Sequence, residues 1–296
     1  MVREVFVLAK KERVKIIDEI GKQIYELLMT RDYARGGYLL ECAAVPGSGK
    51  TSLLLSIFED TIDRYPDELI FFRDSYNSQC QFNRVEKWHI MAENGVNLRF
   101  LELPSMKEIS LPVTNFDAKK TEDPMYYYKD LKQFGYDYYD LIEKAKPGYL
   151  NVVYLKDNTN WRWVIRFLRL YPFFQTLLFD EYEDLVPQRS SGNQWRYNEH
   201  YAYELKHSRR GCLNEAFDTQ HPGDADWRVR SKFMLHAYLR GSKVGESSPV
   251  DQGPVNSLPV GKMIIDYGNA LFGKGSFDPY PPKNPVMIAT DMNSIL

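Results

Sequence analysis

Ala44-Ala-Val-Pro-Gly-Ser-Gly-Lys-Thr51 is the stretch that decides the fold. It matches the pattern G-x-x-x-x-G-K-[ST], with Ala44 in place of the first glycine. Glycines at 47 and 49 let the backbone curl until several N–H groups face one phosphate. The helix that follows adds about half a positive charge at its N-terminus. Lys50 has the reach for β- and γ-phosphates, and the Thr51 hydroxyl suits Mg2+. Pro46, Gly47, Ser48, Gly49, Lys50, Thr51 and Ser52 are the candidate nucleotide-binding residues.

The flanks fit that reading. Tyr38 to Val45 is a short apolar run with Glu41 as its one charge, the pattern of a buried parallel strand. Lys50 to Asp63 places Leu53, Leu54, Ile57 and Phe58 on one helical face. Further strands are expected over 2–8, 69–72, 96–103, 151–155, 173–179, 215–219 and 262–267. Helices are expected over 12–29, 161–170 and 193–207, the first with Ile17, Ile20, Ile24, Leu27 and Leu28 as its apolar stripe. Residues 229–239 read as helix or strand against the core, and 241–261, rich in Gly, Ser and Pro, as a loop. Strands alternating with helices imply an α/β fold with a mainly parallel sheet.

A phosphate loop that hydrolyses its nucleotide needs an acid at the tip of another core strand. Thr176-Leu-Leu-Phe-Asp180-Glu181 supplies two. Asp180 is the candidate for the Mg2+ shell, and Glu181 for taking a proton from the attacking water. Glu183 and Asp184, just beyond, read as solvated surface acids. The adjacent Asp-Glu pair disfavours small-molecule kinases and GTPases. A third tip, Glu215-Ala-Phe-Asp-Thr-Gln220, ends in an amide that suits the γ-phosphate or the attacking water.

Composition narrows the partners. The 296 residues carry 38 Lys+Arg against 40 Asp+Glu, a net charge of −2, which excludes a globally basic nucleic-acid coat. Residues 206–243 nonetheless hold eight cations against four carboxylates, a local +4 beside the proposed site. Cys42, Cys80 and Cys212 are too widely spaced for a CxxC zinc site or a disulfide scaffold. The five histidines show no metal spacing. No signal-peptide core and no apolar run near ~20 residues is present, so a cytoplasmic protein without a membrane span is expected. Aromatics reach 14%, and many tyrosines (Tyr126, Tyr127, Tyr128, Tyr136, Tyr138 and Tyr139) fall in residues 104–150. That segment, poor in aliphatics, reads as an insertion of amphipathic helices packing their rings.

The second half has a recognisable order: the Asp180-Glu181 strand, Leu185-Val-Pro187, a helix with Trp195, then His207-Ser-Arg209-Arg210-Gly211, Asp218-Thr219-Gln220 and Asp226-Trp-Arg228-Val-Arg230-Ser-Lys232. With the phosphate loop, this resembles the FtsK/HerA superfamily of DNA-pumping P-loop ATPases, in particular its zonula occludens toxin-like and viral or plasmid-borne branches. The resemblance covers roughly 36–103 and 151–240. It implies a RecA-like core with helices on both faces, ATP and Mg2+ as ligands, double-stranded DNA as partner, and assembly into a ring, commonly a hexamer. It also implies that Arg209 or Arg210 reaches a neighbour's nucleotide, with Arg228, Arg230 and Lys232 as further candidates for the interface or for DNA. The domain expectation is an N-terminal strand and helix over 1–35, a core over 36–103 and 151–240, the insertion over 104–150, and a C-terminal linker and strand over 241–296. The competing expectation is a nucleotide-gated assembly protein of virion morphogenesis that pumps no DNA.

Overall fold

The computed structural model describes residues 13–73, 98–102, 142, 145–154, 161–171, 173–245, 248–268 and 270–279. The expected strand at 2–8, most of the tyrosine-rich insertion, His89 and Cys80 lie outside the described residues.

Among the described residues ten strands form one sheet. In chain order they are β1 (Val14–Ile16), β2 (Leu39–Ala43), β3 (Leu69–Arg73), β4 (Leu98–Glu102), β5 (Leu150–Tyr154), β6 (Gln175–Phe179), β7 (Leu213–Thr219), β8 (Leu235–Tyr238), β9 (Lys262–Tyr267) and β10 (Leu271–Phe277). Their spatial order is β1-β10-β9-β8-β2-β7-β6-β3-β5-β4. From β8 to β4 every pairing is parallel. The pairings of β9 with β8, of β10 with β9 and of β1 with β10 are antiparallel. The mainly parallel sheet expected from the sequence therefore carries an antiparallel edge.

Two apolar layers cover the sheet. Helices α1 (Glu19–Met29) and α2 (Lys50–Arg64) pack on one face, where Leu40, Cys42, Leu54, Phe58, Ile70 and Leu178 meet. Helices α3 (Trp161–Leu170) and α4 (Gly192–Ser208) pack on the other, over Leu39, Phe71, Leu177 and Phe217. Leu53, Leu54 and Phe58 are each at most 1% exposed. Removing one such side chain from water stabilises by about 1.5–3 kcal/mol. Short helices α5 (Trp227–Arg230) and α6 (Gln252–Asn256) complete the elements used below.

The structure corrects several local expectations. The helix expected from residue 12 is a strand over Val14–Ile16 and then α1, capped by Asp18, whose Oδ1 accepts the Gly21 N–H at 2.7 Å. Asp18 Oδ2 also accepts the Lys274 N–H at 2.8 Å, which ties the cap to β10. Ile17 and Ile20, read as part of the buried stripe, are 60% and 43% exposed. Residues 229–239 resolve into the end of α5 and β8, and the expected loop at 241–261 contains α6. The C-terminal part holds two strands where one was expected. Strand β10 escapes notice because Gly273 and Gly275 interrupt it. A Cβ on Gly273 would lie 2.2 Å from the Gly21 backbone, so glycine there lets the strand and α1 touch. Among the described residues no helix is long and apolar enough to cross a membrane.

Candidate nucleotide site

Strand β7 lies between β2 and β6. That order sets the tips of the phosphate-loop strand, the Gln220 strand and the Asp180 strand side by side. The loop leaves β2 with Ala44 N–H still on the Thr219 carbonyl at 3.1 Å. Gly47 (φ 75°) and Gly49 (φ 100°) both take left-handed conformations. These are the angles a side chain disfavours, and they turn the chain into α2. Ser48 is buried, and its hydroxyl donates to the Val45 carbonyl at 2.6 Å. Lys50 is buried with its Nζ donating to the Ala44 carbonyl at 3.2 Å. Pro46 and Gly47 are exposed, while Thr51 is half-buried at the start of α2 and Ser52 is buried.

The antiparallel edge buttresses this loop. Leu239 N–H donates to the Ala43 carbonyl at 3.1 Å, and the Ser242 hydroxyl donates to the same oxygen. Gly241 lies against Val45, and the Phe277 ring lies against Gly49.

The register places Cys42, Asp218 and Asp180 next to one another across β2, β7 and β6. Asp180 is 2% exposed and Asp218 fully buried. Burial and the neighbouring Asp180 push the Asp218 carboxyl well above the usual carboxylate range, against the opposing pull of Lys50. Both Lys50 and Asp180 act on Asp218 electrostatically. One phosphate-side cluster thus unites the Lys50 and Asp180 expected from sequence with an Asp218 that sequence reasoning had not assigned to the site.

Glu181 is held unusually. Its φ is 48°, left-handed for a residue with a Cβ. Its N–H donates to Asp218 Oδ1 at 2.8 Å. Arg73, fully buried at the end of β3, donates to the Asp180 carbonyl and, at 3.3 Å, to the Glu181 carbonyl. Gln220 Nε2 donates to Glu181 Oε1 at 2.7 Å. Burial, then Asp180, raise the Glu181 carboxyl, and the Gln220 hydrogen bond opposes them.

Glu183 is not the surface acid expected. It is half-buried, and its Oε1 accepts the Gln220 N–H at 2.9 Å, while Asp184 is exposed as expected. Arg73 and Asp218 were each signalled only by a charge at the end of an apolar run.

The arginines stand elsewhere. Arg209 and Arg210 form the turn before β7, at the opposite end of the parallel sheet from Lys50. Arg209 Nε donates to the Arg35 carbonyl at 3.1 Å, and its backbone is packed by Gly36. Arg210 is exposed. Arg228 is paired with Asp226 at 2.6 Å and lies 4.5 Å over the Trp195 ring. The structure does not bring any of these arginines to Lys50 within one chain.

Thr51 and Asp180 suit Mg2+, a hard cation that keeps several waters and takes few protein oxygens. Among the described residues no group of three or more His, Cys, Asp or Glu is arranged as a metal cage.

No family model matches the chain, and no curated protein matches it in sequence. Solved structures do. The genome packaging NTPase B204 of Sulfolobus turreted icosahedral virus 2, bound to ATP-gammaS, superposes with a TM-score of 0.51 at 12% identity, covering 82% of this chain and 98% of that one. The same NTPase with AMPPCP gives 0.50 at 12% identity, with the same coverage. This chain has a RecA-like P-loop NTPase fold. The N-terminal domain of zonular occludens toxin from Neisseria meningitidis gives a TM-score of 0.39 at 12% identity, over 82% of this chain and 95% of that one. The RecA-like P-loop fold expected from the motifs agrees with the B204 superpositions.

Proposed function

We propose that the chain is an ATP-hydrolysing P-loop motor of the FtsK/HerA type, working on double-stranded DNA in a ring. The observation that carries the reading is the row of three strand tips: Lys50 and Asp180 both facing Asp218, with Glu181 held by Gln220. Lys50 and the loop N–H groups bind the β- and γ-phosphates. Thr51 and Asp180 would hold Mg2+, which when bound neutralises phosphate charge. Glu181 accepts a proton as the attacking water forms its bond to the γ-phosphorus, and the bond from that phosphorus to the bridging oxygen breaks to release ADP. Gln220 fixes the direction of the Glu181 carboxylate.

A ring supplies what one chain lacks. The guanidinium of Arg209 is engaged with Arg35, whereas Arg210 is exposed, so Arg210 is the better trans finger. The fold shared with a viral genome packaging NTPase supports DNA as the cargo, and the local +4 of residues 206–243 supports phosphate contact.

The test is ATP turnover with and without duplex DNA for wild type, Lys50→Ala and Glu181→Gln. Lys50→Ala is expected to lose tight ATP binding. Glu181→Gln is expected to bind ATP and turn over at least ~100-fold more slowly. Equal turnover in wild type and Glu181→Gln would sink the catalytic assignment. Duplex DNA that neither binds nor changes turnover would remove DNA pumping from the reading. Arg210→Ala mixed with Glu181→Gln is expected to recover part of the activity if the finger acts in trans.

A further inference from the structure

A line of polar side chains crosses the face of the sheet opposite α2, and the hydrolysis scheme leaves it unused. Glu41 lies in the middle of β2, 5% exposed, between Leu39 and Ala43 on the face that α3 and α4 cover. A lone carboxylate in such a layer is costly unless it is hydrogen-bonded. Replacing buried charges by apolar groups is often neutral or stabilising, so burial alone does not account for Glu41.

The partners of Glu41 are specific. The Tyr182 hydroxyl donates to Glu41 Oε1. The register sets Glu41 opposite His236 on β8, and His236 opposite Asp266 on β9. His236 Nε2 lies 3.8 Å from Glu41 Oε2, and its Nδ1 lies 2.9 Å from Asp266 Oδ1. Ser248 Oγ donates to Asp266 Oδ2 at 2.7 Å. Asp266 is fully buried. Ser248, Asp266, His236 and Glu41 therefore form a line of polar groups from β9 across β8 and β2 to one phenol.

That phenol belongs to the residue next to Glu181. The Tyr182 ring is fully buried, 5.4 Å from Phe217 and 5.5 Å from Phe233. Its backbone opens the single 3-10 turn over Tyr182–Asp184. A left-handed residue before such a turn needs a fixed neighbour on each side. Asp180 is fixed by Arg73, and Tyr182 is fixed by its ring and by Glu41.

We infer that Tyr182 and Glu41 are positioning residues for Glu181, and that His236 and Asp266 hold Glu41 in line across two further strands. The inference rests on the ATPase reading above. It adds that the base is aimed from the strand that carries the phosphate loop. Glu41 stands three residues before Ala44, so the position of Glu181 and the root of the loop share one side chain.

The experiment compares kcat, KM and ATP-gammaS binding for the full chain. Tyr182→Phe keeps the ring and removes the hydroxyl. It is expected to lower kcat about 10- to 100-fold, the scale of a misplaced reacting group, with KM and binding within about twofold. Glu41→Leu is expected to do the same, and Glu41→Gln, whose amide oxygen accepts the same O–H, to recover part of the lost kcat. Wild-type kcat in Tyr182→Phe overturns the inference. So does a parallel loss of kcat and nucleotide binding, which marks a merely structural role. Lys50→Ala and Glu181→Gln run beside these variants. If they abolish turnover while Tyr182→Phe does not, the ATPase reading stands and this inference fails. If they leave turnover unchanged, both fail.

Discussion

Gln220 Nε2 donates a hydrogen bond to Glu181 Oε1 at 2.7 Å, across the gap between the tips of β7 and β6. Glu183 Oε1 in turn accepts the Gln220 N–H at 2.9 Å. The amide is thus gripped by the same loop it grips. Gln220→Leu removes the hold on the Glu181 carboxylate and leaves the loop backbone. Its kcat is expected to fall at least ~10-fold at unchanged nucleotide affinity, read by steady-state hydrolysis and ATP-gammaS titration. Unchanged kcat would show that Glu181 is aimed without Gln220.

Asp218 supports Glu181 through the backbone. Asp218→Leu strands the Glu181 N–H in a buried place, a cost of about 1–3 kcal/mol. Asp218→Asn keeps an acceptor oxygen and is expected to cost less. Urea denaturation of the two variants against wild type separates them. Equal stability in both would mean that the N–H finds another partner.

The two loop glycines differ in what surrounds them. A Cβ on Gly49 would meet the Phe277 ring at 3.1 Å and sit at φ 100°, whereas one on Gly47 meets nothing within 4 Å at φ 75°. Gly47→Ala is expected to cost about 1–2 kcal/mol of backbone strain. Gly49→Ala is expected to cost more and to weaken nucleotide binding, since the ring and the loop must part. Thermal melts with and without ATP-gammaS check the order.

Glu215 carries a pH dependence. It is fully buried on β7, and burial pushes its carboxyl up to about 8, against the pull of Ser208 and Arg169. Between about pH 4.5 and 8 the folded chain holds a proton that the unfolded chain has released, so this group makes stability fall as pH rises. Glu215→Gln removes the loss. Its advantage over wild type is expected to be absent below pH 4.5, to grow through that window and to level off above pH 8 at roughly 2–5 kcal/mol. An advantage that is the same at pH 5 and pH 8 would contradict it.

Much of the proposed site was legible because phosphate chemistry asks for glycines, a lysine, a hydroxyl and strand-tip acids. The structure sets the candidates Lys50, Thr51, Asp180, Glu181 and Gln220 at the tips of β2, β6 and β7. Arg73, Asp218 and Glu183 were not legible: Arg73 finds its carbonyl partners only when β3 pairs with β6, and Asp218 and Glu183 find theirs only when β7 lies between β2 and β6. Glu183 shows the limit plainly: a carboxylate in a loop looks solvated until the next strand brings Gln220 N–H to it. The antiparallel edge was missed for a related reason. A three-residue strand and a glycine-broken one carry almost no alternation, and their pairing is set by contacts with α1.

The Phe277 ring against Gly49 also orders events in time. A ribosome releases Phe277 228 residues after Gly49. At about 5–20 residues per second the phosphate loop waits roughly 10–45 s for this wall. Ser242 and Leu239, which close on Ala43, arrive late too. The nascent chain therefore carries the signature loop long before it owns a finished one. Nucleotide binding is expected to begin only once Phe277 has emerged and seated its ring against Gly49.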